Sequence, residues 1–180
     1  MVISDDLFKD LMKRFASGVT LVTFNDNNTF GGLTVSSFCS LSMDPPLVLI
    51  CIDRKVASHD SLAKNTHFGV NICSSEQGKL AWDFANSKVD KNELIKSSEH
   101  ELTDNGTPLL NGCLAAMECS VKEMYEGGDH TIFVGQIENG TFDEKAEPMV
   151  YYSSGSVSYT HLRAHETDSY IVCRLLLEKK

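Results

Sequence analysis

Residues 31–53 read GGLTVSSFCSLSMDPPLVLICID, two strands joined by a Pro-Pro turn. The first carries a hydroxyl cluster of Thr34, Ser36, Ser37, Ser40 and Ser42, while the second, over residues 47–52, is almost wholly apolar. Small hydroxyls let a backbone approach a ligand closely and supply donors suited to a phosphate or a polar ring edge. A continuous apolar run belongs on a buried sheet, so a site built here rests on a strand and not on a loop.

The flanking residues extend this pattern. Ser4, Asp5 and Asp6 make a helix start, and Leu7, Phe8, Leu11, Met12 and Phe15 follow at helical spacing until Gly18 stops them. Residues 19–24 predict a strand, and Asn25-Asp26-Asn27-Asn28 a turn into the hydroxyl strand. A polar loop after residue 53 leads to a short helix near 59–65 and an alternating strand over 67–73. Ser74-Ser75-Glu76-Gln77 then opens a helix with Leu80, Ala81, Phe84 and Ala85 facing inward. Residues 89–98 predict a second helix or a polar excursion. Long strands over 113–125 and 130–142 flank Glu126-Gly127-Gly128-Asp129, a hairpin signal, and residues 149–152 form a last strand. Six or seven strands joined mostly by turns favour a closed antiparallel barrel over a parallel sheet. No G-x-G-x-x-G follows a strand, so no Rossmann site is expected.

Charge and composition narrow the partners of what is expected to be one domain. The formal net charge is −9 and no basic stripe is present, which argues against nucleic acid. No apolar run reaches the ~18 residues that span a bilayer. The acidic start, MVISDDLFKD, is unlike a signal peptide. The six cysteines form no C-x-x-C pair and sit mainly in strand-like apolar surroundings, which fits free buried thiols in a reducing cytoplasm. His59 and His67 lack partners at metal-ligand spacing, so no metal is assigned.

From residue 157 the chain changes character. VSYTHLRAHET followed by DSYIVCRLLLEKK shows neither strand alternation nor turn chemistry. It is similar to the translation of a transposase-type sequencing adapter, an index and a flow-cell primer, with Ile171 departing from that pattern. Residues 157–180 are therefore expected to be non-native, with the natural C-terminus truncated near Ser156. Cys173, His161 and His165 carry no functional assignment.

The pieces GGLTVSSFCSLSMDPPLVLICID, FGVNIC with KLAWDFAN, PLLNGCLAAMECSV, and GGDHTIFVGQI with PMVYYSSG follow one another in that order. Together they resemble the flavin reductase-like family, the split-barrel FMN-binding proteins that include reductase components of two-component flavin monooxygenases. The resemblance covers about residues 8–152. It implies a mainly β fold, a split antiparallel β-barrel of Greek-key type with a few helices, in a single domain over residues 1–156. It also implies a homodimer with flavin at the interface, FMN or FAD as the flavin, and NADH or NADPH as hydride donor.

Residue by residue, Thr34, Val35, Ser36 and Ser37 match the family segment along the flavin ring and ribityl chain. Backbone N–H groups there would bond the O2, O4 and N5 edge and favour the anionic reduced flavin. Without the family pattern the same hydroxyls fit a solvated face of an edge strand. Cys51, Ile52 and Asp53, with Lys55 and Ser58, match the strand end and loop that take the phosphate or ribityl hydroxyls. Arg54, Lys55 and the Ser58 hydroxyl would supply charge and donors, although Arg54 and Lys55 equally fit a solvated charge pair. The family commonly places a hydroxyl where Val56 stands, and Val56 cannot donate.

His130 matches the family histidine on the nicotinamide side of the flavin, where hydride transfer needs stacked rings and balanced charge. As a lone histidine beginning a strand it also fits a structural hydrogen-bonder. Phe84 matches an aromatic near the flavin and fits equally as a core side chain. The expected activity is an NAD(P)H:flavin oxidoreductase that passes hydride to FMN, FAD or riboflavin and supplies a partner monooxygenase by diffusion. Two alternatives remain: a tightly bound FMN flavoprotein passing electrons to a protein or metal complex, and a non-catalytic flavin- or haem-binding module.

Overall fold

The computed structural model describes residues 3–153 and the backbone of 155–158. Ser4 Oγ accepts the Leu7 N–H and caps α1 (Asp5–Met12), where the spacing predicts it. After the two-residue β1 (Ser17–Gly18), β2 (Thr20–Asp26) turns through Asn27 and Asn28, both at positive φ, into β3 (Thr29–Val35). Such a turn matches the twist of the strands it joins.

The hydroxyl stretch is not the single strand expected from sequence. β3 stops at Val35, Ser36 and Ser37 form a bend, and β4 (Phe38–Met43) begins beyond it. Pairing explains the break. β3 pairs with β2, whereas β4 pairs with β5 (Pro46–Asp53). With β6 (His67–Ile72), β9 (Ala115–Gly127) and β10 (His130–Phe142), these strands make a seven-stranded sheet in the order β3-β2-β6-β9-β10-β5-β4. β3 and β4 are therefore opposite edges, and one straight strand cannot serve both. Every pairing in this sheet is antiparallel, and the sheet curls until β3 touches β5. The result is a split barrel whose two edges are joined through Ser36-Ser37.

β5 shows how the sheet divides its faces. Val48, Ile50 and Ile52 enter the core, while Leu49, Cys51 and Asp53 point outward and stay half-buried. Phe24, Phe68, Cys119 and Phe133 complete the barrel interior. A second cluster of Leu21, Cys73, Phe84 and Ile95 lies beneath the helices. Those helices are α2 (Ser58–Lys64), α3 (Gly78–Ala85, entered through a 3₁₀ turn at Ser75–Gln77) and α4 (Lys91–Ser97), and all three contact β3. Residues 89–98 thus resolve to a helix, capped by Asp90, while Ala85 is exposed and not inward-facing.

The turn at Gly128 and Asp129 joins β9 to β10 as the hairpin signal predicts, with Gly128 at φ 70°. Two short strands, β7 (His100–Leu102) and β8 (Pro108–Leu110), were not expected and pair with each other. β11 (Met149–Tyr152) pairs with β1 and with β12 (Gly155–Ser158), so Val157 and Ser158 join a ladder. His161, His165 and Cys173 lie outside the described residues.

Candidate active site

A cleft of about 550 Å³ opens beside the Ser36-Ser37 bend. Its walls are the bend itself, Phe38, Leu49 and Cys51 from the outward face of β4 and β5, Tyr151, and the apolar side of α1. Ser37 fastens the seam: its Oγ donates to the Cys51 carbonyl at 2.8 Å, and the Cys51 N–H donates to the Ser37 carbonyl at 3.1 Å. The Cys51 thiol is pushed up, first by burial and then by neighbouring Cys39, so it stays neutral and acts as apolar wall.

Thr34 and Val35, which precede the bend, have structural partners. Thr34 Oγ1 donates to the Ala81 carbonyl at 2.7 Å and ties α3 to β3. Val35 points into the core, and its carbonyl accepts from Thr20 Oγ1 at 2.7 Å. Phe84 is only 2% exposed and sits against Gly32, where an added Cβ would lie 2.6 Å from the ring and 2.8 Å from the Val22 carbonyl oxygen. It supports the strand and offers no open ring face. Ile52 is likewise core.

One strand step beyond Cys51, on the same face, the chemistry becomes polar. Asp53 accepts the Lys55 N–H at 2.9 Å and shapes the turn that ends β5. The Arg54 N–H donates to the Asp129 carbonyl at 3.0 Å, and its guanidinium lies 3.6 Å from Glu126, so this turn is tied to the β9–β10 hairpin. His130 is the direct cross-strand partner of Asp53. Its Nδ1–H donates to Asp129 at 2.7 Å, which holds the Asp129 carboxyl below its usual range and leaves Nε2 unpaired among the described residues.

Ser58 stands apart at the start of α2. Its hydroxyl donates to the Gly32 carbonyl at 3.4 Å, and it lines a separate cleft of about 430 Å³ with Phe30, Gly31 and Lys91. Ser36, Ser37 and Cys51 therefore share one cleft, and Asp53, Lys55 and His130 gather at the adjoining strand end. Thr34 and Ser58 brace β3 from two helices, while Val35, Ile52 and Phe84 stand behind in the core. Phe38, Leu49 and Tyr151 carry no signal of their own as site walls, because wall and core residues share one apolar code. Among the described residues, no three His, Cys, Asp or Glu side chains converge to hold a metal ion, and no helix is long and apolar enough to cross a membrane.

Residues 12–160 match the flavin reductase like domain. The chain belongs to that family. It is 36% identical over 152 residues to the actinorhodin polyketide dimerase of Streptomyces coelicolor, covering 84% of each chain. It is 35% identical over 150 residues to the reductase component of 4-nitrophenol 4-monooxygenase/4-nitrocatechol 2-monooxygenase of Rhodococcus opacus, covering 81% of this chain and 76% of the relative. Its fold is similar to that of the NADH:FAD oxidoreductase of Streptomyces globisporus C-1027 in complex with NAD and FAD fragments. The TM-score there is 0.79 at 32% identity, over 87% of this chain and 95% of the other. In this flavin reductase-like barrel, the mostly apolar cleft with one serine-lined edge suits a flat ring system that is polar along one side.

Proposed function

We infer that this chain is an NADH-dependent flavin reductase that releases reduced flavin to a partner monooxygenase. The observation that carries this reading is the meeting, on one barrel seam, of the apolar cleft at Ser36-Ser37 with the His130–Asp53 strand end. Leu49 and Cys51 form a wall for the isoalloxazine ring. Ser36 and Ser37 face its hydrogen-bonding edge, and Arg54 and Lys55 supply positive charge for a phosphate. FMN or FAD, taken as a substrate, supplies the two-electron acceptor, and NADH or NADPH the hydride. The imidazole of His130, anchored at Nδ1 by Asp129, keeps Nε2 available to orient the nicotinamide. No side chain has to shuttle a proton for the hydride to move, so positioning and water exclusion are the work of the protein.

The same reading includes a homodimer. α1 buries none of its residues, and Phe8, Met12 and Phe15 remain exposed along the cleft beside Phe38. A second copy laid over this stripe would remove it from water and close the site.

Purified protein should oxidise NADH only when flavin is added, followed as loss of nicotinamide absorbance. Absence of any flavin-dependent loss defeats the reading. Protein that stays yellow after exhaustive dialysis would select a tightly bound flavoprotein instead.

A further inference from the structure

His59, the second residue of α2, lines neither of the two clefts, and its side chain is only 13% exposed. Its ring packs edge-on against Phe133 of the barrel interior, with centroids 6.0 Å apart. Both nitrogens are occupied. Nδ1–H donates to the Asp60 carboxylate at 2.9 Å, which leaves Nε2 of the neutral ring to accept the Thr131 hydroxyl, also at 2.9 Å.

Thr131 follows His130 on β10. Successive strand side chains alternate faces, so His130 stands on the outward face with its partner Asp53, while Thr131 turns to the barrel interior with its partner Ile52. The chain between β5 and α2 therefore crosses the barrel rim and is fastened on both sides of His130. On one side the Asp129 carbonyl accepts the Arg54 N–H at 3.0 Å; on the other, Thr131 holds His59. Local bonds fill the span between these ties. Asp53 accepts the Lys55 N–H at 2.9 Å through its side chain and the Val56 N–H at 3.2 Å through its carbonyl, and the Val56 carbonyl accepts the His59 N–H at 3.0 Å. The loop that carries Arg54 and Lys55 is thus held in one frame with His130.

We propose that His59 is a positioning residue for flavin recognition: through Thr131 it fixes the Arg54-Lys55 loop where the phosphate of a flavin seated in the Ser36-Ser37 cleft must fall. This deepens the reductase reading and rests on it for the identity of the ligand. His59 itself touches no ligand. A loop released at its α2 end keeps its charges but has to be ordered each time a phosphate binds, and that ordering is lost from the affinity. Riboflavin carries the same ring and no phosphate, so its binding has no share in this cost.

Two substitutions and two flavins test it. His59→Phe keeps an aromatic ring against Phe133 and loses both hydrogen bonds, while Thr131→Val replaces only the hydroxyl with a methyl group. Flavin fluorescence titrations of the full chain should show FMN bound more tightly than riboflavin. In each variant, with an unchanged circular dichroism spectrum, FMN should bind ~5-fold more weakly, the size of one hydrogen bond, and riboflavin should stay within ~2-fold. The double variant should lose no more than either single one, because both remove the same bond. In turnover the loss should appear in the KM for FMN. Equal losses for the two flavins would make His59 a brace of the barrel alone, and additive losses would uncouple it from Thr131. Either result overturns the proposal, as does a parent chain that binds FMN no better than riboflavin. Flavin binding needs no nicotinamide, so protein that shows the FMN-specific loss yet never oxidises NADH sinks the reductase reading and leaves the role of His59 standing.

Discussion

His130 faces Asp53 directly across the β10–β5 ladder, and the neighbouring Asp129 holds its Nδ1 at 2.7 Å. The imidazole is thus anchored by the Asp129 carboxylate at the strand end that adjoins the cleft. Replacing it with alanine removes the ring without touching the apolar walls or the serine bend. His130→Ala should lower kcat by ~10-fold or more while changing flavin affinity little, the pattern of a group that acts in hydride transfer and not in ground-state binding. Steady-state kinetics with a parallel flavin titration would check this, and equal losses in both would remove the role assigned to His130.

Gly32 is pressed between the Phe84 ring and the Val22 backbone. A methyl group there meets a carbonyl oxygen that cannot swing aside, so Gly32→Ala should cost roughly 1–3 kcal/mol, as overpacking does. Shrinking the ring in the double variant Gly32→Ala/Phe84→Leu should recover only part of this, because the Val22 contact persists. Urea unfolding reads both.

Much of the fold was legible from the residues alone. The Ser4 cap, the Asn27-Asn28 turn and the Gly128-Asp129 hairpin depend on chemistry within a few positions, and each stands where its signal lies. The bend at Ser36-Ser37 was not legible, because it follows from which sheet edges β3 and β4 occupy, a choice made by strands far away in sequence. The bond from the Thr34 hydroxyl to the Ala81 carbonyl was not legible either, because its partner lies 47 residues on. The α1 stripe was read correctly as one apolar face, but periodicity does not say what covers it, and nothing among the described residues does.

That uncovered stripe has a direct consequence for assembly. Leu11 lies half exposed at the middle of α1 and contributes nothing to the barrel core. If the proposed dimer forms through this stripe, Leu11→Glu should give a monomer in light scattering where the parent chain is a dimer, with far-UV circular dichroism showing the barrel still folded. A variant that remains dimeric would move the interface elsewhere.

Burial of thiols imposes a pH limit on stability. Desolvation pushes Cys73 and Cys119 up from the ordinary thiol value of 9.0 to about 12, and raises Cys113 in the same direction. Unfolded chains bind fewer protons than folded ones between these values, so the contribution is whole below about pH 9 and is lost as pH rises toward about 12. The thermal midpoint should therefore fall above about pH 9, and less steeply in Cys73→Ala/Cys119→Ala. Near neutral pH an aromatic disulfide reagent should label exposed Cys39 first, and Cys73 and Cys119 only after unfolding.

Glu118, near the start of β9, is 1% exposed and collects three hydrogen bonds: from Thr103 Oγ1 at 2.6 Å, and from Asn105 and Asn139 Nδ2 at 3.3 Å each. Through them one carboxylate fastens the loop around Thr103 and the far half of β10 to the sheet. Glu118→Ala would strand three donors with little water to replace the oxygen, at a cost of about 3–5 kcal/mol. Glu118→Gln keeps the shape and one acceptor oxygen, so roughly 1–2 kcal/mol is expected. His130 occupies the opposite end of β10, so kcat per folded molecule should hold in both variants while the urea midpoint drops. Lost turnover with an unmoved midpoint would mean that Glu118 serves the active site and not the barrel.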